Sequence, residues 1–173
     1  MKRFAAIAAA LMIFAACDDD NPAGPSTSGP IIFTVQLSAS NEVPPIMNAE
    51  ANGRGNATIT FNVPRDSSGN VTGGGAVNFQ ALLSGFPAGS VARGAHIHPG
   101  AAGQNGGILV DSRLTAATAV TLTDGTGILT LNDAPITQDQ ATQIVANPSG
   151  FYFNVHTNLN PGGAVRGQLV RAQ

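Results

Sequence analysis

The chain has one cysteine, one tyrosine, no tryptophan and, after Lys2, no lysine. A single thiol, Cys17, excludes an intramolecular disulfide. Charged residues are only 10% of the sequence; with Lys2 and Arg3 set aside, six arginines face ten acids, a net of −4. No basic cluster remains, which argues against nucleic acid as a partner, because phosphate binding needs grouped cations. The one apolar run, starting at Phe4, is too short to span a bilayer comfortably. What abounds is Gly, Ala, Thr, Ser and Asn, the composition of a secreted β-protein with short strands and many turns.

Lys2 and Arg3 followed by the apolar residues 4–14 read as a signal peptide. Phe14-Ala15-Ala16-Cys17 resembles a bacterial lipobox, in which the cysteine is acylated and becomes the new N-terminus, although Phe14 stands where Leu is usual. Residues 1–17 are therefore expected to be a lipoprotein signal with lipidated Cys17, the alternative being ordinary cleavage near Ala16. Residues 18–30, three aspartates followed by Pro, Gly, Ser and Thr, hold no residue able to anchor a core and read as a tether. Residues 31–173 then form one domain, anchored by lipid in the bacterial cell envelope. About 145 residues suffice for one full core and are too few for two.

Within that domain, residues 31–38 and 56–63 alternate apolar and polar side chains as half-buried strands do. Asp66-Ser67-Ser68-Gly69-Asn70 is a turn, and residues 71–83 read as the returning strand, with Gly73 to Gly75 marking a bulge or a close backbone approach. Further short strands are expected at 92–98, 108–114, 119–122, 127–131, 151–157 and 164–170. Thr137-x-x-Gln140 is a capping box that opens a helix over 138–145. About eight strands and one short helix predict an all-β fold, a Greek-key β-sandwich or flattened barrel.

All three histidines lie in two of these strands. His96 and His98 are two apart, so they share a face with Cα atoms roughly 6.5–7 Å apart, and His156 on a paired strand could complete a three-nitrogen site. Ile97, Phe153 and Val155 then turn to the core and the histidines to the outer face, beneath a loop. One reading is a metal site for a zinc or copper ion, with Glu42, Asp111 or water as fourth ligand and Asn154, Thr157 and Asp111 as supporting groups. The other gives each histidine a hydrogen bond that pins a loop. Arg166 either clamps an anion or pairs with Glu42 or Asp111, the pairing being favoured. A dinuclear copper–zinc site is excluded, because it needs more than three histidines. Gly103 to Gly107 is a turn, lacking the lysine and helix of a phosphate loop.

Four segments in order resemble the CHRD domain, first described in chordin: residues 37–45 (LSASNEVPP), 95–100 (AHIHPG) running into 105–110 (NGGILV), 152–157 (YFNVHT) and 161–169 (PGGAVRGQL). Gly163 stands where an acidic residue is often found, and Phe153 where Val is common. The resemblance implies an extracellular β-domain of undefined molecular activity. Two functions follow as expectations. One is a lipid-anchored binding module with a protein or cell-surface partner. The other is a small mononuclear metalloenzyme with water in an open position.

Overall fold

The computed structural model describes residues 29–172. The signal sequence, Cys17 and nearly all of the expected tether lie outside the described residues. Among the described residues, no helix is long and apolar enough to cross a membrane.

Among the described residues, ten strands form one antiparallel sheet: β1 (Ile31–Ser38), β2 (Arg54–Asn62), β3 (Gly75–Ser84), β4 (Ser90–Pro99), β5 (Val110–Asp111), β6 (Val120–Leu122), β7 (Gly127–Ile136), β8 (Phe151–Thr157), β9 (Val165–Gln168) and β10 (Val170–Arg171). Their order is β5-β4-β8-β9-β1-β2-β3-β7, with β6 on β4 and β10 on β1. β5 and β6 at one end approach β7 at the other, so the sheet nearly closes into a barrel. The expected all-β fold is thus present in its barrel form.

Period-two alternation makes these strands. In β1, Ile31, Phe33, Val35 and Leu37 are buried while Ile32, Thr34 and Gln36 face out. Phe33 meets Phe61 of β2 edge-on at 5.0 Å, and Phe79 of β3 stacks on Phe153 of β8 at 5.4 Å, joining opposite walls through the core. The helix α1 (Gln138–Ala146) begins where its capping box places it. Thr137 Oγ1 accepts from the Gln140 amide, and the Gln140 side chain accepts from the Thr137 amide. Ala141 and Ile144 seal the core.

Several strands depart from the sequence expectation. Val71 makes only an isolated bridge to Arg65, and β3 starts at Gly75. Of the two readings of Gly73 to Gly75, close approach holds: a Cβ on Gly75 would stand 2.1 Å from the Asn62 carbonyl oxygen. The register shift falls instead between Val77 and Phe79, opposite a segment of β7 where Asp133 has φ 58°. The strand expected at 108–114 shrinks to β5, because Arg113 at φ 67° cannot extend the ladder. β7 runs past 131 to Ile136 and includes Pro135.

β8 positions the site. Its residues 151–155 are all buried, although alternate side chains point to opposite faces. Phe151, Phe153 and Val155 belong to the core. The outer-face side chains lie beneath segments 41–48, 104–107 and 160–163, which bond to them and to their neighbours.

Candidate metal centre

Register builds the site. On β4 and β8, Gly94 faces His156, His96 faces Asn154 and His98 faces Tyr152. β5 sets Asp111 beside His96, β9 sets Arg166 beside Asn154, and β1 sets Ser38 beside Arg166. Paired residues share a face, so Asp111, His96, Asn154, Arg166 and Ser38 form one polar row across five strands. Gly94 leaves the space over which the rings converge: a Cβ there would lie 3.3 Å from His96 Cε1 and 3.6 Å from His156 Cβ.

The ring centroids are 4.8 Å apart for His96–His156, 5.6 Å for His96–His98 and 6.0 Å for His98–His156. One nitrogen from each ring lies within 4.8 Å of the others. The closest pair, His96 Nδ1 and His156 Nε2, is 2.9 Å apart. Nitrogens held 2.0–2.1 Å from a tetrahedral ion stand about 3.3 Å from one another, so these spacings bracket what an ion requires.

The outward hydrogen bonds fix which nitrogens face inward. His156 Nδ1 donates to the Pro161 carbonyl at 3.0 Å, and His98 Nδ1 donates to the Gly106 carbonyl at 3.1 Å. His98 Nε2 is buried and has no protein partner. His96 Nε2 faces Asp111 Oδ1 at 3.6 Å. Burial holds all three imidazoles below their usual pKa. For His96, burial and the neighbouring His156 bring it to about 4, against the opposing pull of Asp111. The cluster is therefore neutral at pH 7, the form that ligates metals.

Around it lies a second layer. His98 stacks on Tyr152 at 4.9 Å with the rings 7° from parallel, and the Arg166 guanidinium sits 4.5 Å from the Tyr152 ring centre. Arg166 is fully buried, and its partners are uncharged. Nε donates to the Asn41 carbonyl, and one terminal nitrogen donates to the Gln104 carbonyl and Asn105 Oδ1. The favoured pairing with Glu42 or Asp111 is absent as a contact, because the guanidinium fork closes on the two loops that roof the sheet. Glu42 instead accepts from Asn154 Nδ2 at 3.2 and 3.3 Å, and burial raises its pKa to about 7 despite the pull of Arg166 and that hydrogen bond. Thr157 points to the other face and donates to the buried Glu50 carboxylate at 2.6 Å.

The three histidines thus come together as a donor set, and among the described residues no carboxylate joins them. Asp111 stands outside the set against His96, and Glu42 beside Asn154. The sequence reading missed Gly94 and the two main-chain carbonyls that orient His98 and His156. Gly163 has an unforeseen role as well. A Cβ there would meet Asn154 Nδ2 at 2.5 Å and both Glu42 oxygens at 2.8 Å, so the Glu42 carboxylate fills the space of a residue-163 side chain.

A family model for the CHRD domain matches residues 33–169, which include every residue of this site. The chain belongs to the CHRD domain family. No curated protein and no solved structure matches it. Within this CHRD domain the matched span runs from β1 through β9 and so takes in the whole polar row from Ser38 to Arg166.

Proposed function

We propose that this CHRD domain is an envelope-displayed binding module that holds one zinc or copper ion through His96, His98 and His156. The observation that carries the reading is His98 Nε2, a buried nitrogen without a protein partner on a ring that clusters with two other imidazoles, while its own Nδ1 is tied to a carbonyl. An orphaned buried acceptor costs about 1–3 kcal/mol, and a bound cation offsets that cost. Ligating histidines characteristically give their second nitrogen to a carbonyl or carboxylate, the pattern seen at His98 and His156. Three imidazoles without thiolates suit zinc and copper.

Acylated Cys17 would tether the module to a membrane, with a protein or cell-surface partner as its target. The metalloenzyme reading has less support, because Glu42, the one candidate base, is engaged by Asn154. The test is metal content by plasma mass spectrometry together with separate zinc and copper titrations of the protein and of the His96→Ala/His98→Ala variant. One equivalent bound by the parent and lost in the variant is expected. No uptake after reloading, or equal uptake by both proteins, refutes the reading.

A further inference from the structure

The cluster has a determined proton inventory. The Pro161 carbonyl carries no hydrogen, so His156 Nδ1 must hold the proton of their 3.0 Å bond. Neutral His156 then has a bare Nε2, and the 2.9 Å contact to His96 Nδ1 requires the proton on His96 Nδ1. Neutral His96 is left with a bare Nε2. That nitrogen faces Asp111 Oδ1 at 3.6 Å, too far for a hydrogen bond.

Asp111 does not drift to this position. It lies beside His96 in the β4–β5 register, and its Oδ1 also accepts from the Arg113 amide at 2.8 Å. That turn sets Arg113 in the left-handed region at φ 67°, a conformation unfavourable for a non-glycine residue. A carboxylate is thus held, with backbone strain beside it, against a nitrogen that has no proton to offer it.

We propose that Asp111 is a positioning residue for the ion: metal at His96 Nδ1 leaves the His96 proton on Nε2, where the Asp111 carboxylate accepts it. The inference rests on the metal reading above. His96 gives up its Nδ1 proton to solvent and takes one at Nε2, so its net protonation does not change. The bond between His96 and His156 is exchanged for a shared ion, and the opposed pair at Asp111 becomes an N–H to carboxylate hydrogen bond. Asp111 thereby fixes the tautomer that presents Nδ1 to the metal and raises the basicity of that ligand. The other two ligands need no such change, since carbonyl partners already hold their protons on Nδ1.

Long-range proton–nitrogen correlation spectra of the 15N-labelled protein, with and without zinc, read the tautomers directly. Zinc affinity is measured beside them by chelator competition for the parent and for Asp111→Asn. Asparagine keeps an oxygen for the Arg113 amide, so the turn and the thermal midpoint are expected to stay unchanged. The expected result is His96 protonated at Nδ1 without zinc and at Nε2 with it, and an affinity about 10- to 100-fold weaker in Asp111→Asn. His96 protonated at Nε2 already in the metal-free protein, or still at Nδ1 in the zinc form, overturns the inference while leaving the metal site standing. So does an Asp111→Asn affinity within about twofold of the parent. No zinc bound by the parent overturns both proposals.

Discussion

Replacing Glu42 with glutamine isolates the cost of a carboxylate buried under the roof of the sheet. Burial raises the pKa of Glu42 from 4.5 to about 7, more than Arg166 and the Asn154 hydrogen bond lower it. A raised pKa means that the folded protein binds this proton more tightly than the unfolded chain. The associated stability is fully present below pH 4.5, and it is lost as pH rises to about 7. At about 1.36 kcal/mol per pH unit the interval gives an upper figure of about 3 kcal/mol. The histidines run the other way, since their lowered values make the fold lose stability as pH falls below their ordinary 6.5. The parent profile is therefore a compromise of two slopes, and Glu42→Gln removes one of them. Urea unfolding of both metal-free proteins between pH 4 and 8 should show near-equal stability at the acid end. The variant should pull ahead from about pH 5 and lead by about 2–3 kcal/mol above pH 7. A difference that is flat with pH, or one that favours the parent at pH 8, refutes this account of Glu42.

Two further substitutions test the roof. Arg166→Lys keeps the charge but cannot reproduce the fork that reaches Asn41, Gln104 and Asn105 or the contact with Tyr152. It should cost about 3 kcal/mol in denaturant unfolding, and a loss under about 1 kcal/mol would show that the guanidinium does not hold the loops. Gly163→Ala places a methyl group 2.5 Å from Asn154 Nδ2 at a backbone φ of 136°. It should lower stability by about 2 kcal/mol or more by the same measurement, and an unchanged midpoint would refute the close packing of Glu42 there.

Legibility in the sequence followed the physics of each element. β1 and β8 were readable to the residue, because alternation is strong and glycine, proline or polar residues bound them. The start of α1 was readable because Thr137 and Gln140 satisfy each other locally. β5 was not, because its end is set by the left-handed Arg113 and the Asp111 turn, neither of which hydrophobic pattern records. The same division holds at the site. Spacing alone put His96 and His98 on one face. The orienting groups of His98 and His156 are carbonyls of Gly106 and Pro161, and a carbonyl carries no residue identity to read. Arg166 was expected beside a carboxylate because pairwise charge is the simplest guess. Which loops cross above it is a tertiary fact.

The register that joins the imidazoles also orders events in time. His96 and His156 are separated by 60 positions, and they meet only when β8 pairs with β4. Closing such a loop carries an entropic cost that an unfolded chain does not recover from two isolated donors. Until then His96 and His98 are a neighbouring pair without their third member. In a chain exported as we propose, the complete donor set comes into being only after β8, near the end of the domain, has emerged and the sheet has formed. Metal loading would then belong to the destination compartment, and possession of the ion would mark a molecule that has finished folding.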